Sequence, residues 1–360
     1  MSALPSLSDT RIFNRPGIVT EGWYWLARSS QIRRGRVKAL RLIGRDLAVY
    51  RGHDGRVVAL EAHCAHMGAH LGEGRVEGNE LRCFFHHWRY DAQGRCTDIP
   101  CLPGTPPERI RVRSFPVSER YGMIWIWAGE TPRHPVPEPP ELSGTQIDSL
   151  LANRFSKHCH PSVVLVNAID EQHFHSVHNL PGSILSMEAT PNGPHNIQFA
   201  NTGRMPRERW LGRLLSRFYR DALTYRLSYW YGTLGTVTFG PDFLHLHLLF
   251  ALRQGDDGST EGQTIVLTHR RRGPLGWIAN RAILLLTAAA SRYFAHGDTR
   301  VFRTIRFDFR HPIAADRSVI AFIRHLEQQP VAMWSEPDTG SRAAPLRPLT
   351  PLRRAGQGNE

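Results

Sequence analysis

The chain has 360 residues and a formal net charge of +13, because 45 Lys and Arg residues outnumber 32 Asp and Glu. A hydrophobic content of 41%, with 31 glycines and 25 prolines, excludes a disordered chain and disfavours a helical bundle. Five cysteines, an odd number, disfavour a disulfide framework, and residues 1–17 lack an apolar leader. We therefore expect a cytoplasmic protein with reduced thiols.

Arginine supplies nearly all of the positive charge, and the arginines are scattered along the chain without a long basic run. This pattern first indicates a solvated surface. A docking surface for an acidic protein partner is the next interpretation, and a membrane surface or nucleic acid comes after it. We expect no nucleic-acid partner and at most a peripheral membrane contact.

Short apolar segments bounded by Gly, Asp or Arg predict strands in the first third of the chain. They lie at residues 23–27, 37–42, 47–51, 57–61 and 123–127. Together they predict a small antiparallel β domain over residues 1–130. A proline-rich stretch at residues 130–140 then predicts a linker, assigned to residues 131–145.

The second half predicts a mixture of strands and helices, so the fold class is α+β. Strands are expected at residues 225–231, 234–239, 243–252 and 264–269, and helices at residues 275–306 and 316–328. A sheet covered by helices is expected over residues 146–334, followed by a flexible tail over residues 335–360.

The most apolar window, residues 275–295, is interrupted by Asn280 and Arg281. Its uninterrupted part falls well short of the roughly 20 residues that a transmembrane helix needs. We predict a buried helix here, and a helix that lies at a membrane interface remains the alternative.

Two short segments combine cysteine with histidine. Cys64 and His66 are separated by one residue, and Cys83 and His86 follow after 16 residues with two residues between them. Two thiolates on one iron and two imidazoles on the other hold a Rieske [2Fe–2S] cluster, whose potential lies at roughly −150 to +300 mV. A Cys2His2 zinc site is the alternative, but it usually pairs Cys with Cys and His with His.

A second cluster of polar residues spans residues 167–178, with the pattern Asn167, Asp170, His173 and His178. Two histidines and one carboxylate bind one face of Fe(II) and leave the other positions open for O2 or water. A break in the helix between His173 and His178 would let both imidazoles reach one metal.

Both patterns resemble Rieske non-haem iron oxygenases. Cys64-Ala65-His66-Met67-Gly68 and Cys83-x-x-His86 look like the two cluster-binding loops of that family. Residues 66–100 most resemble the branch of 3-ketosteroid 9α-hydroxylases and cholesterol 7-desaturases. Two departures occur, because Phe84 replaces the usual proline and His87 replaces a Gly or Asp.

The resemblance implies roles for the residues of the second pattern. It makes His173 and His178 iron ligands and places Asn167 beside the iron. The third ligand is expected to be a distant Asp on a long helix, which Asp298 fits best. Asp308 and then Asp316 are the alternatives. Asp170 is expected to bridge His173 to His86 of a neighbouring subunit and to orient its own histidine.

Other cysteines and histidines are interpreted as structural or surface residues. We expect packed thiols or ordinary packing, pocket-lining or solvent-facing imidazoles at the following positions: His63, His70, His87, Cys96, Cys101, His158, His160, His175, His245 and His247.

By resemblance, the chain is expected to be the oxygenase component of a monooxygenase with a [2Fe–2S] Rieske domain and a helix-grip catalytic domain. The family implies O2, a small apolar, steroid-like or polycyclic substrate, a separate NAD(P)H-dependent reductase with or without a ferredoxin, and a homotrimer. The reaction is hydroxylation, desaturation or oxidative demethylation. A Rieske electron carrier without catalysis and a zinc-stabilised binding protein are the alternatives.

Overall fold

The computed structural model describes residues 10–334, apart from residues 103, 105, 107, 179, 181–183, 205–212, 214–216, 220 and 221. The predicted tail at residues 335–360 lies outside the described residues. The strands are β1 (Gly22–Arg28), β2 (Arg36–Leu42), β3 (Arg45–Arg51), β4 (Val57–Glu61), β5 (Arg75–Glu77), β6 (Glu80–Arg82), β7 (Arg89–Tyr90), β8 (Cys96–Asp98), β9 (Ser114–Phe115), β10 (Val117–Arg120), β11 (Met123–Ala128), β12 (Ile147–Lys157), β13 (Met187–Pro191), β14 (Asn196–Asn201), β15 (Thr224–Trp230), β16 (Leu234–Gly240), β17 (Leu246–Gln254) and β18 (Thr260–His269). The α-helices are α1 (Pro161–Asn167), α2 (Glu171–Ser176), α3 (Gly273–Thr304) and α4 (Arg317–Leu326).

The N-terminal third forms three small antiparallel sheets. Their strand orders are β1-β11-β10, β2-β3-β4-β9 and β5-β6-β7-β8. The five strands predicted from apolar runs in this region are confirmed with ends shifted by one or two residues. The strands of the last of these sheets have only two or three residues. The first set of candidate ligands lies on the loops beside these strands.

A seven-stranded antiparallel sheet with the order β12-β18-β17-β16-β15-β14-β13 forms the second half. Strands β13 to β18 follow each other as a meander, and β12 completes the sheet beside β18. The predicted α+β class, a small β domain followed by an antiparallel sheet with helices, is confirmed.

The two faces of this sheet bury different partners because side chains alternate along each strand. Leu248 and Val266 point into a core shared with α1 and α4. Their chain neighbours Leu249 and Ile265 point the other way, into a core filled by the tryptophans of β1 and β11. The small sheet β1-β11-β10 therefore packs directly on the back of the large one.

Arg253 fixes this junction. Its side chain lies 3.8 Å from the ring centroid of Trp25, donates to the Trp25 carbonyl oxygen at 2.9 Å and pairs with Glu261 at 2.6 Å. Its burial lowers the pKa of the guanidinium, but the ion pair with Glu261 opposes this shift. The residue is paired on both sides of the junction, as a buried charge requires.

Both ends of the described chain cross to the other domain's core. Ile12 and Phe13 pack into the core between the large sheet and its helices. Trp334 is 2% exposed and packs into the core of the N-terminal sheets, where its indole donates to the Leu42 carbonyl oxygen at 3.0 Å. The predicted linker is also packed, since Val136 is fully buried.

Helix α3 follows the predicted boundaries, but the prediction that it is buried is wrong for its outer side. Asn280, Thr287 and Ser291 face inward and are almost fully buried, whereas Leu285 and Leu286 are half exposed. The inward polar groups are bonded, for example Asn280 to Asp148 at 2.7 Å. Among the described residues, no helix is long and apolar enough to cross a membrane.

Two candidate metal centres

The first candidate centre is formed by two loops of the N-terminal third. Cys64 and His66 lie on the loop between β4 and the short 3-10 helix Leu71–Glu73, and Cys83 and His86 lie between β6 and β7. Each loop is closed by its own backbone. The Cys64 amide donates to Ala69 O and the Cys83 amide donates to Trp88 O, both at 2.9 Å. The loops therefore present all four predicted ligand side chains at one end of the domain.

The four side chains are arranged with sulfur inside and nitrogen outside. Cys64 and Cys83 are 5% and 1% exposed, whereas His66 and His86 are exposed. The two imidazole rings are 4.5 Å apart, and the His66 ring stacks on Trp88 at 4.4 Å. A two-iron cluster with one buried sulfur-ligated iron and one outer imidazole-ligated iron fits this arrangement.

Tyr90 completes the buried side of this centre, and the sequence analysis missed it. Its hydroxyl lies 3.0 Å from Cys64 Sγ and accepts from the Ala65 amide at 3.2 Å. Burial raises the pKa of Tyr90, so the hydroxyl stays protonated and can donate to the sulfur. Burial also raises the pKa of Cys64, and the hydrogen bond from Tyr90 opposes that shift. Cys64 lies 26 residues away in the sequence, so no local pattern pointed to this contact.

His87 is one of the two departures from the family pattern, and its backbone conformation shows why a Gly or Asp is usual at this position. Its backbone has φ of +63°, in the left-handed region that favours glycine. A Gly or Asp tolerates this conformation better than a histidine. The His87 side chain is exposed, as expected.

The tips of the two loops carry an apolar rim around the exposed imidazoles. Met67 is 67% exposed, and Phe84 and Phe85 are each 53% exposed. Phe84, the other departure from the family pattern, is part of this rim. Exposed apolar side chains around a redox ligand indicate a surface that another protein surface covers.

The remaining cysteines and histidines in this region have structural places. Cys96 is buried, as expected for a packed thiol, but Cys101 is exposed, so the prediction of a packed thiol is wrong there. His70 caps the 3-10 helix Leu71–Glu73 by accepting from the Gly72 amide at 3.0 Å. His63 faces it across a β-bridge.

The second candidate centre brings together His173, His178 and Asp298. Helix α2 ends at Ser176, and this end lets the two histidines converge, as the sequence predicted. Nε2 of His173 lies 2.9 Å and Nε2 of His178 lies 3.1 Å from the same oxygen, Asp298 Oδ1. Ligand atoms of the three side chains all lie within 4.8 Å of one another, which suits a single metal ion.

The alternatives for the third ligand lie elsewhere. Asp308 is exposed and pairs with Arg310. Asp316 accepts from Gln172 Nε2 at 3.0 Å and from the Ile313 amide at 2.8 Å, so its carboxylate caps local structure. Asp298 is the only one of the three that reaches the histidines among the described residues.

The electrostatics of this centre favour metal binding. Burial lowers the pKa of His178, which keeps the imidazole neutral as a ligand must be. Burial acts to raise the pKa of Asp298, but the hydrogen bond and charge of His173, with His178, outweigh it, and the pKa is lowered. Two imidazoles and one carboxylate are the donor set that a ferrous ion takes with positions left open.

Two further predicted residues surround the centre. Asn167 Nδ2 lies 3.2 Å from His173 Nε2, so its amide borders the ligand atoms. Asp170 caps α2, since its Oδ1 accepts from the amides of Gln172 at 2.9 Å and His173 at 3.3 Å. His173 Nδ1 is buried and has no hydrogen-bond partner among the described residues. A metal on Nε2 and an acceptor on Nδ1 would satisfy this ring.

Three other histidines of the second half are hydrogen-bonded within the fold. His175 Nδ1 bonds to Leu180 O, His160 caps α1 by accepting from the Ser162 amide, and His247 Nδ1 bonds to Thr238 Oγ1. These contacts confirm the structural interpretation of all three.

An apolar wall lies beside the second centre. Phe174 packs against Tyr225 and His178, at ring distances of 5.3 and 5.7 Å. Ile184 and Leu185 join Phe174 in a separate buried cluster. Tyr225 is fixed by a hydrogen bond of 2.9 Å to Ala168 O. This side of the centre is therefore formed mainly by carbon atoms.

Comparisons with known proteins agree with the first centre. A family model for the Rieske [2Fe-2S] domain matches residues 22–116. Aminopyrrolnitrin oxygenase PrnD of Pseudomonas fluorescens is 34% identical over 177 residues, 46% of this chain and 48% of the relative. Cholesterol 7-desaturase of Bombyx mori is 34% identical over 171 residues, 46% of this chain and 36% of the relative. The chain thus matches about half or less of the length of these curated relatives.

Solved structures cover more of the chain. NdmB of Pseudomonas putida CBB5 is 17% identical with a TM-score of 0.62, over 87% of this chain and 93% of that one. Dicamba monooxygenase with non-heme iron and dicamba is 19% identical with a TM-score of 0.56, over 86% of this chain and 96% of that one. At these identities the likeness shows the fold alone.

Fold and sites together define the class: a Rieske [2Fe–2S] domain joined to a domain with a His-His-Asp candidate iron site. Residues 22–116 match the Rieske [2Fe-2S] domain, and the chain has distant relatives among ketosteroid monooxygenases and cholesterol 7-desaturases.

Proposed function

We propose that this chain is an O2-dependent monooxygenase component that hydroxylates, desaturates or oxidatively demethylates an apolar substrate. One observation carries the proposal: His173, His178 and Asp298 converge in a chain that also holds the Cys2His2 loops. When bound, the cluster and the ferrous ion would supply electrons one at a time for the activation of O2.

Each side chain of the second centre has a separate task in this proposal. His173, His178 and Asp298 would hold the metal on one face. Asn167, 3.2 Å from His173 Nε2, would hydrogen-bond to a group beside the metal without binding it. The wall of Phe174, with its buried apolar neighbours, would exclude water and hold a substrate by its carbon surface.

Polycyclic or steroid-like compounds are the substrate class we propose. Support comes from the apolar wall and from relatives whose names refer to cholesterol, 4beta-methylsterol and 3-ketosteroids. The name aminopyrrolnitrin oxygenase and the dicamba-bound structures extend the range to smaller aromatic compounds.

The partners we propose follow from the exposed side of the cluster loops. A separate NAD(P)H-dependent reductase, with or without a ferredoxin, would supply the electrons. A homotrimer would let the rim of Met67, Phe84 and Phe85 in one subunit face the second centre of the next. Asp170 would then hydrogen-bond both His173 of its own chain and His86 of the neighbour.

Iron content with electron paramagnetic resonance tests the metal assignment. The anaerobically reconstituted protein should hold about three irons per chain and show a Rieske signal after reduction. Asp298→Ala should reduce the content to about two irons and keep the signal. Asp308→Ala, a matched carboxylate outside the centre, should keep all three. Two irons in the wild-type protein would indicate an electron carrier instead, and a colourless protein would indicate zinc.

Asp170→Asn tests the bridge between the centres. Asn is as good a helix cap as Asp, so α2 and both metals should be retained. The rate at which O2 reoxidises the reduced cluster should fall at least ten-fold, toward the rate of the Asp298→Ala variant. A reoxidation rate equal to that of the wild type would contradict the bridging role.

Light scattering tests the oligomeric state and should give a trimer. A monomer that is fully active at high dilution would contradict the proposed homotrimer.

A further inference from the structure

The outer side of α3 presents a continuous apolar surface to solvent. Exposed fractions are 82% for Leu275, 66% for Trp277, 56% for Ile278 and 52% for both Leu285 and Leu286. With about 100° of rotation per residue, the four aliphatic residues fall within about 100° of the helix circumference. We call Leu275, Ile278, Leu285 and Leu286 the α3 strip. It is about 16 Å long at 1.5 Å per residue.

The inward side of this helix is partly polar, although it also buries Leu284, and part of its outer side is apolar. Asn280, Thr287 and Ser291 face the sheet and are at most 7% exposed. Their side chains are satisfied inside the protein, since Thr287 bonds to Ile283 O at 2.7 Å and Ser291 to Ala288 O at 2.9 Å. A surface helix normally turns its apolar stripe to the core. The strip on α3 faces away from the core, so burying it requires something outside the chain's own core.

Positive charge lies along one edge of the strip and at its N-terminal end, where Arg270 is paired with Asp148. Arg281 and Arg292 are exposed on the same helix, and Arg270, Arg271 and Arg272 precede it. No Asp or Glu occurs between residues 262 and 297. Arg281 lies on the helix about 40° from Leu285, at the edge of the strip. The surface is therefore both apolar and cationic.

We propose that the α3 strip docks on the surface of an anionic phospholipid bilayer, with the helix axis in the plane of the membrane. Leucine and isoleucine side chains would enter the acyl region, and the arginines would meet the lipid phosphates. Arg281 and Arg292 on the exposed side oppose deeper insertion.

A second copy of the chain fits this surface less well. A two-fold contact of strip against strip would bring Arg281 and Arg292 of both copies together with no acidic residue in the segment to pair them. Like charges placed face to face disfavour association. An anionic lipid surface supplies the missing negative charge and the apolar environment together.

The position of the α3 strip suggests a role for membrane docking in substrate access. This role rests on the proposed function. Asp298, the proposed third ligand, lies on the same helix, 12 residues or about 18 Å beyond Leu286. A bilayer contact there would place the candidate iron centre near apolar compounds dissolved in the membrane.

Vesicle co-sedimentation of the full-length holoprotein tests the inference. The protein should sediment with vesicles of phosphatidylcholine and phosphatidylglycerol in equal parts, and added salt should weaken this binding. With vesicles of phosphatidylcholine alone, the bound-to-free ratio should be at least ten-fold lower. The double variant Leu285→Gln/Leu286→Gln should lower the ratio on anionic vesicles at least ten-fold, and Arg281→Glu at least three-fold. Ile313→Gln, an isoleucine of similar exposure outside α3, should bind like the wild type.

Three results would overturn the docking surface. One is wild-type protein that stays in the supernatant with anionic vesicles. Another is a double variant that binds like the wild type. The third is a double variant that light scattering shows to have lost an oligomer formed by the wild type, since the strip would then cover another copy. Iron content and the Rieske signal of the same samples are read separately. Failure to bind lipid with both metals present refutes this inference alone, and lipid binding without them refutes the proposed function alone.

Discussion

Removing the Tyr90 hydroxyl should lower the reduction potential of the cluster by a predictable amount. The hydroxyl lies 3.0 Å from Cys64 Sγ, and Tyr90 itself is fully buried. Reduction adds one negative charge, so a hydrogen bond to the sulfur stabilises the reduced form more than the oxidised form. Hydrogen bonds contribute roughly 0.5–1.5 kcal/mol between neutral groups and 1.5–3 kcal/mol to charged ones. A difference of about 1 to 1.5 kcal/mol corresponds to roughly 40–60 mV for one electron.

Tyr90→Phe should therefore shift the potential downward by roughly 40–60 mV in a spectroscopic redox titration. Tyr50→Phe is the matched control. Tyr50 is a fully buried tyrosine of the same domain, and its hydroxyl donates to Asn79 O at 3.0 Å, not to a cysteine. The control variant should keep the wild-type potential. A Tyr90→Phe potential that stays at the wild-type value or rises, with the cluster fully loaded, would refute this reasoning.

Three more predictions concern stability and cluster loading. Arg253→Met should lower the free energy of unfolding by roughly 3 kcal/mol in denaturant titrations, because it breaks a buried ion pair and the contact with Trp25; a loss below about 0.5 kcal/mol would contradict this. Gly94→Ala should prevent cluster loading, since its Cβ would stand 2.1 Å from a backbone oxygen at φ of +75°. Gly78→Ala, at φ of +62° with open space around the new Cβ, should cost only about 1–2 kcal/mol and load normally; equal loading of the two variants would refute the steric argument. Burial lowers the pKa of His160 from 6.5 to about 4, so the folded state binds fewer protons than the unfolded state between these values, and stability is lost as the pH falls through this window. His160→Asn, which keeps a helix-capping oxygen, should reduce the loss of unfolding free energy between pH 7 and pH 5 by roughly 2 kcal/mol, and an unchanged pH profile would argue against this role.

Local patterns in the sequence were enough to predict nine of the 18 strands in the described residues and the two ligand loops, and they indicated that a break between His173 and His178 would let both reach one metal. Each depends on residues close together in the chain, such as Cys83 and His86 or His173 and His178. Asp298 is 120 residues from His178. Its assignment as the third ligand therefore came from family resemblance, and only the folded structure shows it beside the histidines. The contact of Asp298 with both imidazoles could not follow from spacing.

The sequence did not predict the role of Tyr90 or the orientation of α3. Tyr90 acts through a contact with Cys64, 26 residues away, and a tyrosine in a short strand gives no sign of that partner. In α3, apolar residues occur on nearly every side, so periodicity alone does not show which side meets the sheet. Asn280, Thr287 and Ser291 mark the side of α3 that meets the sheet. Their hydrogen bonds inside the protein can be recognised only in the folded structure.

The return of the chain to its first domain has a consequence for biogenesis. Trp334 fills the N-terminal core, and its carbonyl oxygen accepts from the buried Arg45 side chain at 2.8 Å. A ribosome therefore releases the whole iron–sulfur half before the last piece of that half has been made. During synthesis the nascent domain would expose the hollow that the indole later fills until residue 334 has been translated. The N-terminal domain is translated first, but its core is completed only by one of the last residues described, Trp334.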